Sequence, residues 1–372
     1  MNITLLQGAF LPVPPKRGGA VEKMWHRLGA EFAARGHRVT HISRLSDGLP
    51  ARETTDGVQH VRVPGFDQPR SGVRLKLRDL RYTLRAVRVA PAADIVVTNT
   101  FFAPLLLRRA QGAIYVDVQR MPKGQLRLYG RAARLRANSS AVRDAILAEL
   151  PSAEARVRVI PNPLPATPTL PVAWAEKTRT ILYAGRLHPE KGVALLLAAF
   201  VAAQARGDLA GWRLRLVGPV DVARGGGGEP WLHELRERFA SPAIEWHPPL
   251  FDHAALEALY REATVFAYPS LAERGETFGL AALEAMAWGA IPVVSDLACF
   301  RDFIRAGENG FRFDHRAADP VAALATALVH AAQPAARALG EAALAVRASH
   351  APAAIAEQFL ADFASLRAER SP

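Results

Sequence analysis

Short apolar runs alternate with helical stretches along this chain, halt at the proline-punctuated segment PNPLPATPTLPVAW of residues 161–174, and then begin again. Before the halt, runs at residues 3–8, 38–43, 58–63, 95–98 and 113–116 read as strands, and residues 21–34 as an amphipathic helix that Gly36 stops. After it, strands at 180–184, 213–217, 244–246 and 265–268 alternate with helices at 192–206, 231–239 and 253–262. Strands joined through helices pair in parallel, and a proline cluster between two such series reads as a linker. The pattern predicts an α/β protein of two Rossmann-like, doubly wound domains facing one another across a cleft, with ligands at the carboxyl ends of the strands. The expected boundaries are residues 1–163 and 179–350, a linker at 164–178, and a final helix at 351–372 that packs back on the first domain.

A chain of 372 residues, half of them apolar and 22% charged, has ample material for two cores. The one cysteine, Cys299, forms no internal disulfide, and the first ten residues lack the basic and apolar regions of a signal peptide. The longest uncharged apolar run, residues 193–205, falls short of the roughly 20 residues that cross a bilayer. These features predict a soluble protein of a reducing cytoplasm. The net charge of +12 is unevenly spread. Residues 1–163 hold 27 Lys/Arg against 12 Asp/Glu, whereas the remainder holds 20 against 23. A basic half attracts polyanions, and charge alone does not choose among nucleic acid, anionic lipid and phosphorylated substrates.

Three stretches carry candidate chemistry. Lys16-Arg17-Gly18-Gly19 lies between the first strand and the first helix, where backbone N–H groups and the helix dipole favour an anion. Neither the Gly-x-Gly-x-x-Gly fingerprint nor the phosphate-loop signature occurs there. In AGRLHPEKG, Arg186 follows a strand end and Lys191 precedes a helix, so a guanidinium fork and an ammonium flank one strand end, as a diphosphate would require. The same string also suits a turn with solvated charges. The stretch GETFGLAALEAMAWG keeps two carboxylates, Glu276 and Glu284, eight residues apart around a helix start at Gly279. Leu280, Leu283 and Ala287 form its core-facing stripe, leaving both carboxylates for a ligand or simply for the helix dipole.

Taken together, AGRLHPEKG, LVGP, YPSLAERGETFGLAALEAMAWGAIPVV and AGENGFRFD resemble the donor domain of glycosyltransferase family 4, retaining sugar-nucleotide-dependent enzymes of the GT-B fold. Gly18 and Gly19 fit the glycine loop of that family's first domain, so the likeness spans essentially the whole chain. The resemblance implies an acceptor-binding first domain and a donor-binding second one. It implies that Arg186 and Lys191 hold the donor pyrophosphate, that Glu276 contacts the donor sugar, and that Glu284 binds the ribose. Backbone groups of Thr277, Phe278, Gly279 and Leu280 would meet sugar and phosphate. It implies retention of configuration without a cofactor or metal, and the sequence has no Asp-x-Asp. One departure concerns the proton: Gln119 stands where the family carries a histidine, and an amide does not shuttle a proton at neutral pH. Asp117, Arg120 and Lys123 are the alternatives for acceptor contact or proton transfer. The run RMPKGQLRLY, residues 120–129, is similar to enzymes of bacterial exopolysaccharide assembly that act on polyprenyl-diphosphate-linked acceptors. Ser139 and Ser140 follow a further strand, as ligand hydroxyls or as a helix cap.

Residues 72–89 place Val73, Leu77, Leu80, Leu84 and Val87 on one helical stripe, with Arg74, Arg78, Arg81, Arg85 and Arg88 on its neighbour. The apolar stripe predicts burial against the first domain, leaving the arginines to water or to the phosphates of an anionic membrane. Rival readings are a nucleic-acid-binding protein, which rests on charge alone and lacks zinc spacing or a recognition motif, and a GT-B-like phosphorylase or epimerase with the same diphosphate cradle.

Overall fold

The computed structural model describes residues 1–14, 19–69, 71–250 and 252–370. The chain divides into two compact units, residues 1–166 with 350–372, and residues 167–349.

Among the described residues the first unit has a sheet of eight strands: β1 (Asn2–Leu6), β2 (Arg38–Leu45), β3 (Arg52–Thr55), β4 (Val58–Pro64), β5 (Ile95–Thr98), β6 (Ala113–Val118), β7 (Arg134–Ala137) and β8 (Val157–Val159). Their order is β3-β4-β2-β1-β5-β6-β7-β8, parallel throughout except that β3 runs antiparallel to β4 at the edge. Both faces are covered, so the inner strands are apolar on both sides. On one face Ile3, Leu5 and Val97 meet Trp25, Leu28 and Phe32 of the helix Ala20–Ala34 and Phe359 and Phe363 of the helix Pro352–Ala368. The rings of Trp25 and Phe359 lie 5.0 Å apart. Arg134 on β7 ties the end of that last helix through Asp362 at 3.1 Å and Glu369 at 2.5 Å.

The opposite face packs on the helix Gly72–Val89, where the predicted apolar stripe is only partly buried: Leu80 and Val87 are half-buried, Val87 against the core, and the other three are exposed. Asp79, Tyr82, Thr83 and Ala86 are its buried residues. Val73 is 72% exposed, Leu77 56% and Leu84 41%. Arg78 and Arg85 instead turn back: both guanidiniums stack over Phe66, and they donate to the carbonyls of Asp67 and Pro64 respectively. Arg74, Arg81 and Arg88 remain exposed beside the apolar residues.

The second unit has six strands: β9 (Thr178–Ala184), β10 (Arg213–Val217), β11 (Ile244–His247), β12 (Ala263–Tyr268), β13 (Ile291–Ser295) and β14 (Phe311–Phe313). They are parallel, in the order β11-β10-β9-β12-β13-β14. The chain therefore winds outward from β9 in one direction and resumes at β12 in the other. The crevice where the order reverses, at the carboxyl ends of β9 and β12, is where open α/β sheets take ligands.

Candidate active site

The segments that leave β9 and β12 meet at that crevice. After β9 the chain crosses Gly185, whose N–H donates to the carbonyl of Val217, and reaches Arg186. Gly218 crowds that crossing so closely that any Cβ there would strike the Gly185 carbonyl. Arg186 donates from Nη1 to the carbonyl of Gly225 at 2.5 Å and from Nη2 to Glu190 Oε1 at 2.6 Å. Burial works against the Glu190 charge, yet the hydrogen bond from Arg186 and the nearby charges of Arg186 and Lys191 hold its carboxyl below the usual range.

Lys191 is buried, and its Nζ donates to Glu276 Oε2 at 2.7 Å. It is followed by Gly192, at φ +69°, where a side chain would collide with the carbonyl of Pro269 after β12. That contact brings the β9 and β12 segments together and starts the helix Val193–Ala205. The ammonium also lies 5.6 Å from the ring centre of Tyr268, which stacks on Tyr183 with centroids 5.7 Å apart. Burial, and then the charge of Glu276, push the Tyr268 phenol well above its ordinary range, so it is a neutral hydrogen-bonding floor.

Glu276 ends a loop whose chain turns at Gly279, φ +86°, into the helix Leu280–Ala287. A Cβ at Gly279 would strike the Phe300 ring. Thr277 and Leu280 are half-buried and Phe278 is buried. The helix differs from its predicted amphipathicity: Ala282, Leu283, Ala285, Met286 and Ala287 are buried, and Leu280 lies with Ala281 and Glu284 on the partly open strip. Glu284 accepts from the Tyr260 hydroxyl at 3.1 Å. Lys191 and Glu276 thus touch directly, Arg186 joins them through its neighbour Glu190, and Glu284 stands a helical turn further along.

Of the glycine loop, Gly18 lies outside the described residues, whereas Gly19, at φ +96°, caps the helix Ala20–Ala34. Asp117 on β6 is buried and accepts from Trp25 Nε1 at 2.7 Å, Arg136 Nη1 at 2.7 Å and Gln119 Nε2 at 2.9 Å. This buried carboxylate, held by three donors, in turn fixes Trp25, Arg136 and Gln119. Gln119 is oriented by Asp117 and by the amides of Asn138 and Asn162, each 3.3 Å from Gln119 Oε1. Arg120 and Lys123 are exposed. Ser139 caps the helix Ser140–Glu149 by accepting from the Val142 N–H. Sequence reasoning missed Glu190, Tyr183 and Tyr268; the four-residue spacing of Arg186 and Glu190 was the available signal for the first. Among the described residues no three His, Cys, Asp or Glu side chains converge as metal ligands.

These two parallel-sheet domains have the fold of the GT-B glycosyltransferases. The chain belongs to the glycosyltransferase family: a model described as Glycosyltransferase Family 4 matches residues 18–167, and one described as Glycosyl transferases group 1 matches residues 178–333. It is similar to YtcC of Bacillus subtilis, 26% identical over 225 residues, a match covering 53% of this chain and about half, 52%, of that one. Sucrose-phosphate synthase from Thermosynechococcus elongatus superposes with a TM-score of 0.76 at 23% identity, covering 99% of both chains. HepE of Anabaena, solved with UDP and glucose, superposes with a TM-score of 0.68 at 18% identity over 98% of this chain and 99% of that one.

Proposed function

We propose that this protein transfers a sugar from a nucleoside diphosphate donor, a UDP- or GDP-sugar, with retention of configuration. The observation that carries the reading is the buried Lys191–Glu276 contact at the carboxyl ends of β9 and β12, with Arg186 beside it. Arg186 and Lys191 would hold the diphosphate, and their charge would stabilise the leaving group without a metal. Glu276 would grip the donor sugar and Glu284 the ribose diol. The N–H groups around Phe278 and Gly279 would face the oxygens of the departing phosphate. Both cations are already neutralised by carboxylates, so a donor enters by exchanging the Glu190 and Glu276 contacts for phosphate and hydroxyl contacts. UDP and glucose bound to the similar HepE support a uridine donor.

Acceptor contacts fall to Gln119, Arg120 and Lys123 in the first unit, with Asp117 as the anchor that orients Gln119. The acceptor class is a sugar or a polyprenyl-diphosphate-linked sugar of bacterial cell-surface polysaccharide synthesis. Among the described residues no helix is long and apolar enough to cross a membrane. Attachment to an anionic membrane surface would run through the helix Gly72–Val89, whose exposed Val73, Leu77 and Leu84 lie beside Arg74, Arg81 and Arg88.

The test is a thermal-shift panel of UDP-, GDP- and ADP-sugars with and without EDTA, since a ligand raises the melting point according to its affinity. One donor should shift the wild type and not Glu276→Ala, and EDTA should leave the shift intact. If no sugar nucleotide shifts the wild type, the donor reading fails.

A further inference from the structure

A groove of about 490 Å³ opens at the opposite end of the second sheet's strands, beside the amino-terminal ends of β9, β12 and β13. β9 is seven residues long, which puts about 20 Å between this groove and the strand end that carries Arg186. Its size lies within the range of small-molecule sites. Trp174, Lys177, Arg179, Asp208, Trp212 and Arg337 are among its lining.

The electrostatics are one-sided. Each acidic group nearby already has an arginine: Asp208 accepts from Arg206 at 2.8 Å, Glu341 from Arg337 at 2.9 Å, and Glu176 from Arg261 at 3.1 Å. Lys177 has only carbonyl partners among the described residues, Ala263 at 2.7 Å and Tyr260 at 3.4 Å. Behind it, Arg347 spends Nε and Nη1 on the carbonyls of Ala287 and Leu170, while its buried Nη2 has no partner. Burial, and then the charge of Arg347, push the Lys177 ammonium down to about 7. Lys177 and Arg347 thus lie near one another with Arg179 on the rim, and among the described residues no carboxylate bonds Lys177 or Arg179.

The groove also has a fixed aromatic wall. The Trp174 indole is seated where Gly289 and Gly340 leave room, since a Cβ on either would come to 3.0 and 3.1 Å of its ring. The Arg337 guanidinium lies 5.1 Å from that ring's centre. A wall that offers an aromatic face beside basic side chains suits a planar or pyranose ring carrying a phosphate.

We propose that this groove is a second ligand site, separate from the donor crevice, for a phosphate monoester of a ring-bearing molecule, its phosphate held by Lys177 and Arg179 and its ring against Trp174. The source of the ester, a sugar or a nucleoside, is distinguished by titrating the full chain calorimetrically with glucose 6-phosphate, AMP and inorganic phosphate. One of the two esters should bind at least about tenfold tighter than inorganic phosphate, because only the ester engages the indole. Arg179→Ala, at an exposed position, should weaken that ester by about tenfold or more, as loss of a charge-assisted contact requires. Glu276→Ala should leave the affinity unchanged. Absence of saturable binding by either ester, equal binding to Arg179→Ala, or loss of binding in Glu276→Ala would each overturn the proposal, the last by returning the ester to the donor crevice.

Discussion

Lys191 Nζ and Glu276 Oε2 lie 2.7 Å apart, 85 residues apart in sequence, with both side chains buried. The contact joins the segment after β9 to the loop after β12, so it is at once an ion pair and a clamp across the crevice. Removing one partner strands the other charge in a dry site, which costs about 3–5 kcal/mol. Lys191→Met and Glu276→Gln should each show a loss of that size in urea unfolding, and the double variant should lose clearly less than the sum. Additive losses would mean that the two groups do not depend on each other.

Two glycines of the second unit sit at positive φ in different surroundings, and the difference is measurable. Gly279 and Gly307 both have positive φ, +86° and +78°, but a Cβ at Gly279 would strike Phe300 whereas one at Gly307 meets open space. Gly307→Ala should cost only the backbone penalty, roughly 1–2 kcal/mol, and leave donor affinity intact. Gly279→Ala should in addition displace the start of the helix Leu280–Ala287 and weaken UDP binding about tenfold or more, as read by calorimetry.

The alternation of strands and helices and the proline-rich break made the two α/β units legible, because parallel pairing follows from the order of elements. Strands β13 and β3 were harder to read. Pro292 argues against a strand within Ile291–Ser295, and Arg52–Thr55 is a polar edge. The motif around Arg186, Lys191, Glu276 and Glu284 pointed to a ligand crevice, yet no spacing rule tells that Lys191 and Glu276 touch. The face of Gly72–Val89 was only partly legible, because periodicity finds an apolar stripe but not which part of it meets the sheet. Three exposed aliphatic side chains on one helix break the ordinary burial rule, and such breaks concentrate where a protein meets a partner.

Buried titrating groups in the first unit give its stability a defined pH dependence. His41 and His60 stack at 5.6 Å, with His26 5.8 Å from His60, facing Arg62, Arg27, Glu53 and Asp56. Burial, and next the neighbouring histidine or Arg62, lowers both rings, His60 to about 4. The unfolded chain then binds more protons below its ordinary imidazole range, so stability is complete above about pH 6.5 and is lost as pH falls toward 4. Asp79 runs the other way: burial raises its carboxyl to about 6, so the folded chain holds the extra proton and stability declines as pH rises from about 4 to 6. Asp79→Asn should therefore raise the melting temperature at pH 7.5 and leave it nearly unchanged at pH 4. An equal effect at both values would show that the carboxyl is ionised throughout.

The exposed side of Gly72–Val89 separates two roles that its five arginines share in sequence. Arg78 and Arg85 stack on Phe66 and bond to backbone, so their loss should loosen the helix. Arg74, Arg81 and Arg88 point outward with Val73, Leu77 and Leu84, the set that would meet a bilayer surface. Each outward basic residue near anionic lipid is worth about 1 kcal/mol, screened by salt, while the buried aliphatic groups add a contribution that salt does not screen. Cosedimentation with phosphatidylserine-containing vesicles should accordingly fall sharply for Arg74→Ala with Arg81→Ala and Arg88→Ala, and the residue of binding should persist in high salt. Val73→Asp with Leu77→Asp should remove that salt-resistant part while leaving the melting temperature near the wild-type value, because both positions face solvent. Vesicle binding that is unchanged in both variants at low salt would remove this helix from the membrane reading altogether.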